Sequence, residues 1–507
     1  MTSPFKKMVL KSSALLFIAL VVSKLFGYVF HVLFTKSFST EEYGLFVYLW
    51  YIAMLISSLL LLGGIGAAVA RFIPYSRGVG EPKKASDYFK TGFVLTLLLS
   101  VFCVLVVLLL NHLSLIPLDS TQFLFICAIV VVQGIGFYFG SVIVGYRKPE
   151  VSNINVALGQ ILKVVFLFSV VYYAAGFRWA LLSFTLAFML GYAFNVVYFL
   201  RSYGFSGTFR LNLAKELVHF GVYTVFTDTA NNLLYFSSIF FIQYFLGYSV
   251  VAIFNAASLI STAGLIFFIA PIEVYAPTVA ELLGCGNYSK CSRLSAYLFE
   301  SFILLCLPPS IVLSLFSGEV LSIVFTPAYA PATTALKLLL LGSFIFGIVM
   351  LLRKFIIADG RPKVDTIILG SGAFVNIVLC YLIIPSYGIT GAAYASLFSS
   401  ALMFVLSLRF LGSKIRITIS KVRLLKILAA ALLGSGVVYY IKAVIEAQII
   451  SLATSIIVFC IVYSLVIFAL KALRREDVEF VEVVSEKFPL PYAIGKTIVR
   501  LLWCAVS

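Results

Sequence analysis

The chain has 507 residues, 62% of them hydrophobic and only 11% charged, with a formal net charge of +17. The hydrophobic residues gather into about fourteen runs long enough to cross a bilayer core of ~30 Å, which takes roughly 20 apolar residues per helix. This excludes a soluble domain. The positive charge lies in the gaps between runs, so nucleic-acid binding is not needed to explain it. With three histidines, no HExxH and no GxSxG, an enzyme is not expected.

In chain order, Lys6, Lys7 and Lys11 precede the first span, 12–35, which sets Lys24, Tyr28 and His31 on one helical stripe. The second, 44–70, ends at Arg71, ahead of Arg77, Lys83, Lys84 and Lys90. Spans 91–111 and 121–145 lead to Arg147 and Lys148. Spans 154–175, which holds Lys163, and 179–200 lead to Arg201, Arg210 and Lys215. The seventh, 216–244, repeats the stripe with Thr224, Asp228, Asn232 and Tyr235; the eighth, 249–276, does so with Asn255, Ser258 and Thr262. Lys290 and Arg293 follow. Spans 294–316 and 333–357 lead to Arg353, Lys354, Arg361 and Lys363, and spans 364–384 and 388–409 lead to six further basic residues. Spans 426–445 and 450–471 precede a tail from Leu473, whose apolar run at 498–503 is too short to span and reads as an interfacial helix.

All but six of the 37 Lys and Arg residues fall in alternate gaps or at the two ends. Lys36, Arg178 and Lys442 lie on the opposite side, and Lys24, Lys163 and Lys337 lie inside spans. By the positive-inside rule both termini are cytoplasmic, in a multi-pass protein of the plasma membrane, and an even span number is required. The eight cysteines are scattered without CxxC spacing, so neither a disulfide framework nor a metal site is expected.

A weak internal repeat is present. Gly78, Gly80, Lys84 and Ser86 recur 206 residues on as Gly284, Gly286, Lys290 and Ser292, and Lys148-Pro149 recurs as Arg361-Pro362. A six-helix unit used twice is implied, its copies related by an axis along the membrane normal. The expected organisation is one lobe over 1–211, a second over 212–411, two additional helices over 412–472 and a cytoplasmic or interfacial tail over 473–507.

Charge at mid-bilayer costs at least ~2.5–3.5 kcal/mol on insertion scales. Lys24, Lys163 and Asp228 lie at similar depth. Two readings stand: Lys24 and Asp228 face each other across a central cavity with Lys163 adding a second cation, or each is satisfied by polar neighbours in its own lobe. Glu273 reads as structural, near a cytoplasmic helix end. Arg71 and Arg353 either follow from topology alone or line a cytoplasmic entrance for an anionic headgroup. His31 either titrates near neutral pH or is held by a hydrogen bond.

Four short segments carry a resemblance: Ala70-Arg71-Phe72, Phe325-Thr326-Pro327-Ala328-Tyr329, Gly360-Arg361-Pro362, and Gly388-Ile389-Thr390-Gly391-Ala392-Ala393-Tyr394-Ala395. In that order, on a duplicated fourteen-span background, the chain resembles the polysaccharide flippase branch of the multidrug/oligosaccharidyl-lipid/polysaccharide exporter superfamily over 1–472. The resemblance implies an all-α fold, two six-helix lobes in a V and alternating access. It also implies a lipid-linked oligosaccharide substrate on a polyprenyl phosphate or pyrophosphate. Membrane lipids, and a glycan polymerase or glycosyltransferase machinery, are the expected partners. Lys24, Tyr28, His31, Lys163, Asn232 and Asn255 are the expected cavity residues. No cofactor is expected and no P-loop exists; a Na+ or H+ gradient would drive transport, with Asp228 as the coupling residue. The rival readings are a cation-coupled multidrug exporter and a lipid II-type flippase, for which arginine rather than lysine is expected in the first span.

Overall fold

In a lipid core a backbone N–H or C=O finds a partner only within its own helix or a closed barrel, and the long Leu, Val and Phe runs here take the first solution. The computed structural model describes residues 4–474 apart from 61, 115, 117, 266–278, 280–281, 284–287, 412–419 and 446. These form fifteen α-helices, with no strand among the described residues. They are α1 (Pro4–Ser37), α2 (Thr40–Leu59), α3 (Leu62–Gly78), α4 (Pro82–His112), α5 (Ser120–Gly145), α6 (Pro149–Tyr172), α7 (Phe177–Tyr203) and α8 (Leu211–Leu246). After them come α9 (Tyr248–Ala263), α10 (Tyr288–Leu315), α11 (Ser317–Val324), α12 (Thr333–Ala358), α13 (Pro362–Phe410), α14 (Lys421–Val444) and α15 (Gln448–Ala469). A 3₁₀ turn at Pro327–Ala332 precedes α12.

Each predicted span falls on a helix, the eighth being described only as far as Leu265. Glu273, the Gly284–Gly286 copy of the loop and the interfacial run at 498–503 lie outside the described residues. Two spans differ in detail. The second is two helices: α2 stops at Leu60, whose φ of −98° and ψ of 35° are non-helical, and α3 starts at Leu62. The eleventh and twelfth share α13, broken where Gly388 takes φ 57° and ψ −140°.

The helix ends are specified locally. Ser39 and Asp119 close capping boxes on α2 and α5: each side chain accepts an N–H from the third helical residue, Glu42 or Gln122, whose side chain returns the bond. On the basic side a different device recurs. At Gly80-Glu81-Pro82, Arg147-Lys148-Pro149 and Gly360-Arg361-Pro362 the first residue has positive φ (87°, 64° and 78°). Its N–H donates three residues back and the next N–H donates five back, as in Lys148 to the Ile143 carbonyl at 3.2 Å and Arg361 to the Ile356 carbonyl at 3.2 Å. This is a Schellman closure, followed by a proline that starts the next helix. The paired Lys148-Pro149 and Arg361-Pro362 segments therefore share a backbone conformation as well as residues.

The chain divides into two compact units: Met1–Leu259 with Lys363–Leu402, and Ile260–Pro362 with Met403–Ser507. In the first unit, Ile65, Val69 and Ile73 of α3 pack with Tyr88 and Phe89 of α4, Tyr138 and Val142 of α5, Phe199 of α7 and Leu217 of α8. The α7–α8 connection is strapped to α4. Buried Asp87 accepts the Thr208 N–H (2.8 Å), the Thr208 hydroxyl (3.0 Å) and Arg210 Nε (2.8 Å). In the second unit α10 packs on α12 through Leu298, Phe302, Ile348 and Phe355, and Leu304 of α10 packs on Ile427 and Ile467 of α14 and α15.

Candidate functional site

The polar interior of the first unit is built on α1, α2, α6, α7 and α9. Asn255 on α9 donates from Nδ2 to the Tyr43 hydroxyl oxygen on α2 at 2.8 Å. That hydroxyl lies 2.9 Å from His31 Nδ1 on α1. His31 is thus tied by a hydrogen bond to α2. Tyr28 on α1 donates to the Leu259 carbonyl at 3.1 Å, a second tie between the regions of α1 and α9. The close packing needs Gly44: a Cβ there would stand 1.8 Å from the Tyr248 carbonyl oxygen, so α2 meets the start of α9 backbone to backbone.

Lys163 on α6 is 5% exposed. Its Nζ lies 4.5 Å from the ring centre of Phe184, 4.8 Å from that of Phe188 and 5.5 Å from that of Trp50. The negative faces of three rings stabilise the ammonium where no carboxylate pairs with it among the described residues. Phe184 is in turn fixed by Phe30 of α1 and Phe46 of α2, with ring centres 5.4 and 5.0 Å away.

Asp228, on the exposed side of α8, lies beside the start of α3. Its Oδ2 is 3.2 Å from where a Gly63 Cβ would be. Gly63 lies in the first turn of α3, whose unpaired N–H groups and dipole favour a carboxylate. Gly64, next to it, admits the Gly221 backbone of α8 to within 2.5 Å of its missing Cβ.

The structure brings Tyr28, His31 and Asn255 into one hydrogen-bonded region, encloses Lys163 in aromatic rings, and sets Asp228 at the α3 terminus. Lys24 is exposed and Asn232 half-buried, and no ion pair joins Lys24 to Asp228 among the described residues. Arg71 is exposed with its guanidinium 4.7 Å from the Phe220 ring centre, and Arg353 lies on α12 of the other unit. Among the described residues no group of three or more His, Cys, Asp or Glu is placed to hold a metal.

Sequence reasoning missed Tyr43, Trp50, Phe184 and Phe188, which in an apolar run look like ordinary core. It also missed Glu300 on α10, fully buried, which accepts from Arg423 Nη1 (2.8 Å) and Arg474 Nη2 (2.9 Å). An acid inside the predicted span 294–316 was a readable signal.

Residues 9–283 match the family described as polysaccharide biosynthesis protein, and residues 224–382 match the MatE family. The uncharacterized membrane protein MJ1068 of Methanocaldococcus jannaschii is 22% identical over 479 residues, 89% of this chain and 94% of that one. The probable low-salt glycan biosynthesis flippase Agl15 of Haloferax volcanii is 21% identical over 263 residues, 52% of this chain and 56% of that protein. Among solved structures, an inward-facing multidrug resistance MATE transporter superposes with a TM-score of 0.66 at 12% identity, covering 77% of this chain and 95% of its own. The lipid II flippase MurJ in an inward closed conformation gives 0.64 at 15%, covering 89% and 97%. A Pyrococcus furiosus transporter of the same superfamily, described as having a binding pocket of reverse polarity, gives 0.59 at 13%, covering 82% and 97%. These likenesses show the fold.

Proposed function

The chain belongs to the polysaccharide biosynthesis protein family, the flippase branch of the exporter superfamily, and from that premise we propose that it moves a lipid-linked oligosaccharide from the cytoplasmic to the outer leaflet. The substrate would be a glycan on a polyprenyl phosphate or pyrophosphate, passed by alternating access between lobes 1–211 and 212–411. Both termini would be cytoplasmic, and glycosyltransferases or a glycan polymerase would act before and after it. The repeated Schellman–proline turn at Lys148-Pro149 and Arg361-Pro362 supports the duplicated lobes.

The observation that carries the substrate class is Lys163, a buried cation with aromatic neighbours and no carboxylate pair among the described residues. Such a group attracts a phosphate and repels a cationic drug. Lys24 adds a second cation on the first span, and Tyr28 and Asn232 supply hydrogen bonds for sugar hydroxyls. Asp228 is the coupling residue for Na+ or H+, and Arg71 and Arg353, each within its own unit, are cytoplasmic entrance residues.

Purified protein in proteoliposomes should translocate a defined lipid-linked saccharide, and Lys163→Ala and Lys24→Ala should abolish this while leaving thermal unfolding in place. Asp228→Asn should remove the dependence on an imposed ion gradient. The acid at Asp228 and the MatE match over 224–382 favour a second reading, a cation-coupled drug exporter. Uptake of cationic dyes, with lipid-linked saccharide unmoved, would replace the first reading by the second.

A further inference from the structure

The first unit has a groove outside the polar interior, about 540 Å³ in volume, between α4 and the first three turns of α8. Its walls are apolar: Leu95 from α4, and Leu211, Ala214, Val218 and Val222 from α8. Two polar residues enter it, Lys215 and His219, one turn apart on the same helix and both exposed. The carboxylate between them in sequence, Glu216, is turned away and accepts from the Tyr88 hydroxyl. The groove therefore combines a lysine with no ion pair among the described residues, a histidine ring and a hydrocarbon wall, with no acid lining it.

Its depth matches that composition. Lys215 immediately precedes the seventh predicted span, on the side rich in Lys and Arg, and Leu95 lies just inside the third. From Leu211 to Val222 the helix climbs about 16 Å, so the basic pair sits at headgroup level and Val222 reaches into the acyl region. The rigid strap of Asp87 on Thr208 and Arg210 fixes the start of α8 against α4, so the groove is preformed.

We propose that this groove is a binding site for a membrane phospholipid with an anionic, phosphate-bearing headgroup. The phosphate would sit between Lys215 Nζ and the His219 ring, and one hydrocarbon chain would lie along Ala214, Val218, Val222 and Leu95. Basic pockets between helices on the cytoplasmic side recognise anionic headgroups in this way, and a lysine stem lying on apolar surface while its ammonium reaches the interface is the common geometry. The site is separate from the proposed transport pathway and does not depend on it.

The test is native mass spectrometry of the full-length protein, delipidated in detergent and titrated with phosphatidylglycerol or phosphatidylcholine. Wild type should hold one phosphatidylglycerol more tightly than phosphatidylcholine. Lys215→Gln should weaken that phosphatidylglycerol about fivefold and leave phosphatidylcholine unchanged. Val222→Trp, or Leu95→Trp if the first does not fold, should displace the chain and weaken both lipids. Lys83→Gln, a basic residue outside the groove, should change neither. Equal binding of the two lipids by wild type would overturn the proposal. So would a loss with Lys83→Gln as large as that with Lys215→Gln, because the attraction would then belong to the basic surface in general. Unchanged binding in the tryptophan variant would overturn it too, since the groove would hold no chain.

Discussion

The two units treat buried charge differently. In the first, Lys163 keeps its ammonium among three rings, and His31, Tyr43 and Asn255 are joined by hydrogen bonds. In the second, the fully buried acid Glu300 gathers two cations. Glu300 binds Arg423 and Arg474 near the start of α14 and after the end of α15. Arg423 also donates to the Ala472 carbonyl at 2.9 Å. At the far end of α14, Lys442 pairs with Glu319 at 2.7 Å and donates to the Leu315 carbonyl. The two C-terminal helices are thus pinned to α10 and α11 at both ends. Paired charges hold helices together, whereas a buried charge kept without a counter-charge costs stability.

The largest expected effect breaks the second unit. Glu300→Ala leaves Arg423, only 4% exposed, buried without its anion, a change that costs about 3–5 kcal/mol. Thermal unfolding in detergent, followed by size exclusion, should show a drop of that rank or no folded protein. Lys163→Met is the opposing experiment. It replaces the unpaired cation by an apolar side chain of similar length, so stability should hold or rise while transport of the lipid-linked saccharide is lost. A destabilisation by Lys163→Met as large as that by Glu300→Ala would remove the distinction between the units.

A middle-sized effect is expected inside the first unit. Tyr43→Phe deletes the hydroxyl between Asn255 and His31 and strands the buried Asn255 amide, at about 1–3 kcal/mol. Restoration of stability by the additional change Asn255→Leu, which removes the stranded donor, would establish that the cost is an unmet hydrogen bond and not lost packing.

The fold was largely legible because hydropathy encodes membrane-length helices directly. The break after α2 was not, since Leu59 to Leu62 is continuous in composition and only Gly63-Gly64 marks it. The polar interior was half legible. Helical spacing put Tyr28 and His31 on one stripe and Asn255 on another, but Tyr43, which joins His31 to Asn255, is 212 residues from one partner and 12 from the other. No periodicity carries that information. The aromatic rings around Lys163 come from two further helices, and a phenylalanine that will face an ammonium has the same local sequence signature as one that faces leucine. The matched Lys148-Pro149 and Arg361-Pro362 turns were readable because a turn is built from adjacent residues.

The smallest effect sharpens the contrast within the second unit. Lys442 and Glu319 remain 35% and 21% accessible at the side chain, so water and ions share the interaction, and exposed pairs are worth about 0–1 kcal/mol. Lys442→Met should therefore lower stability by no more than about 1 kcal/mol, and the shift should shrink further as salt is raised. Glu300→Ala should be less sensitive to salt, because Arg423, one of its two partners, is buried. The Lys442 ammonium also lies 4.9 Å from the Phe316 ring centre and donates to the Leu315 carbonyl, so Lys442→Met deletes a helix-end contact that Glu319→Gln leaves in place. If Glu319→Gln matched Lys442→Met in size, the carboxylate would account for the outer pin. If it cost less, the carbonyl and the ring would be the stronger anchors of α14 on α11.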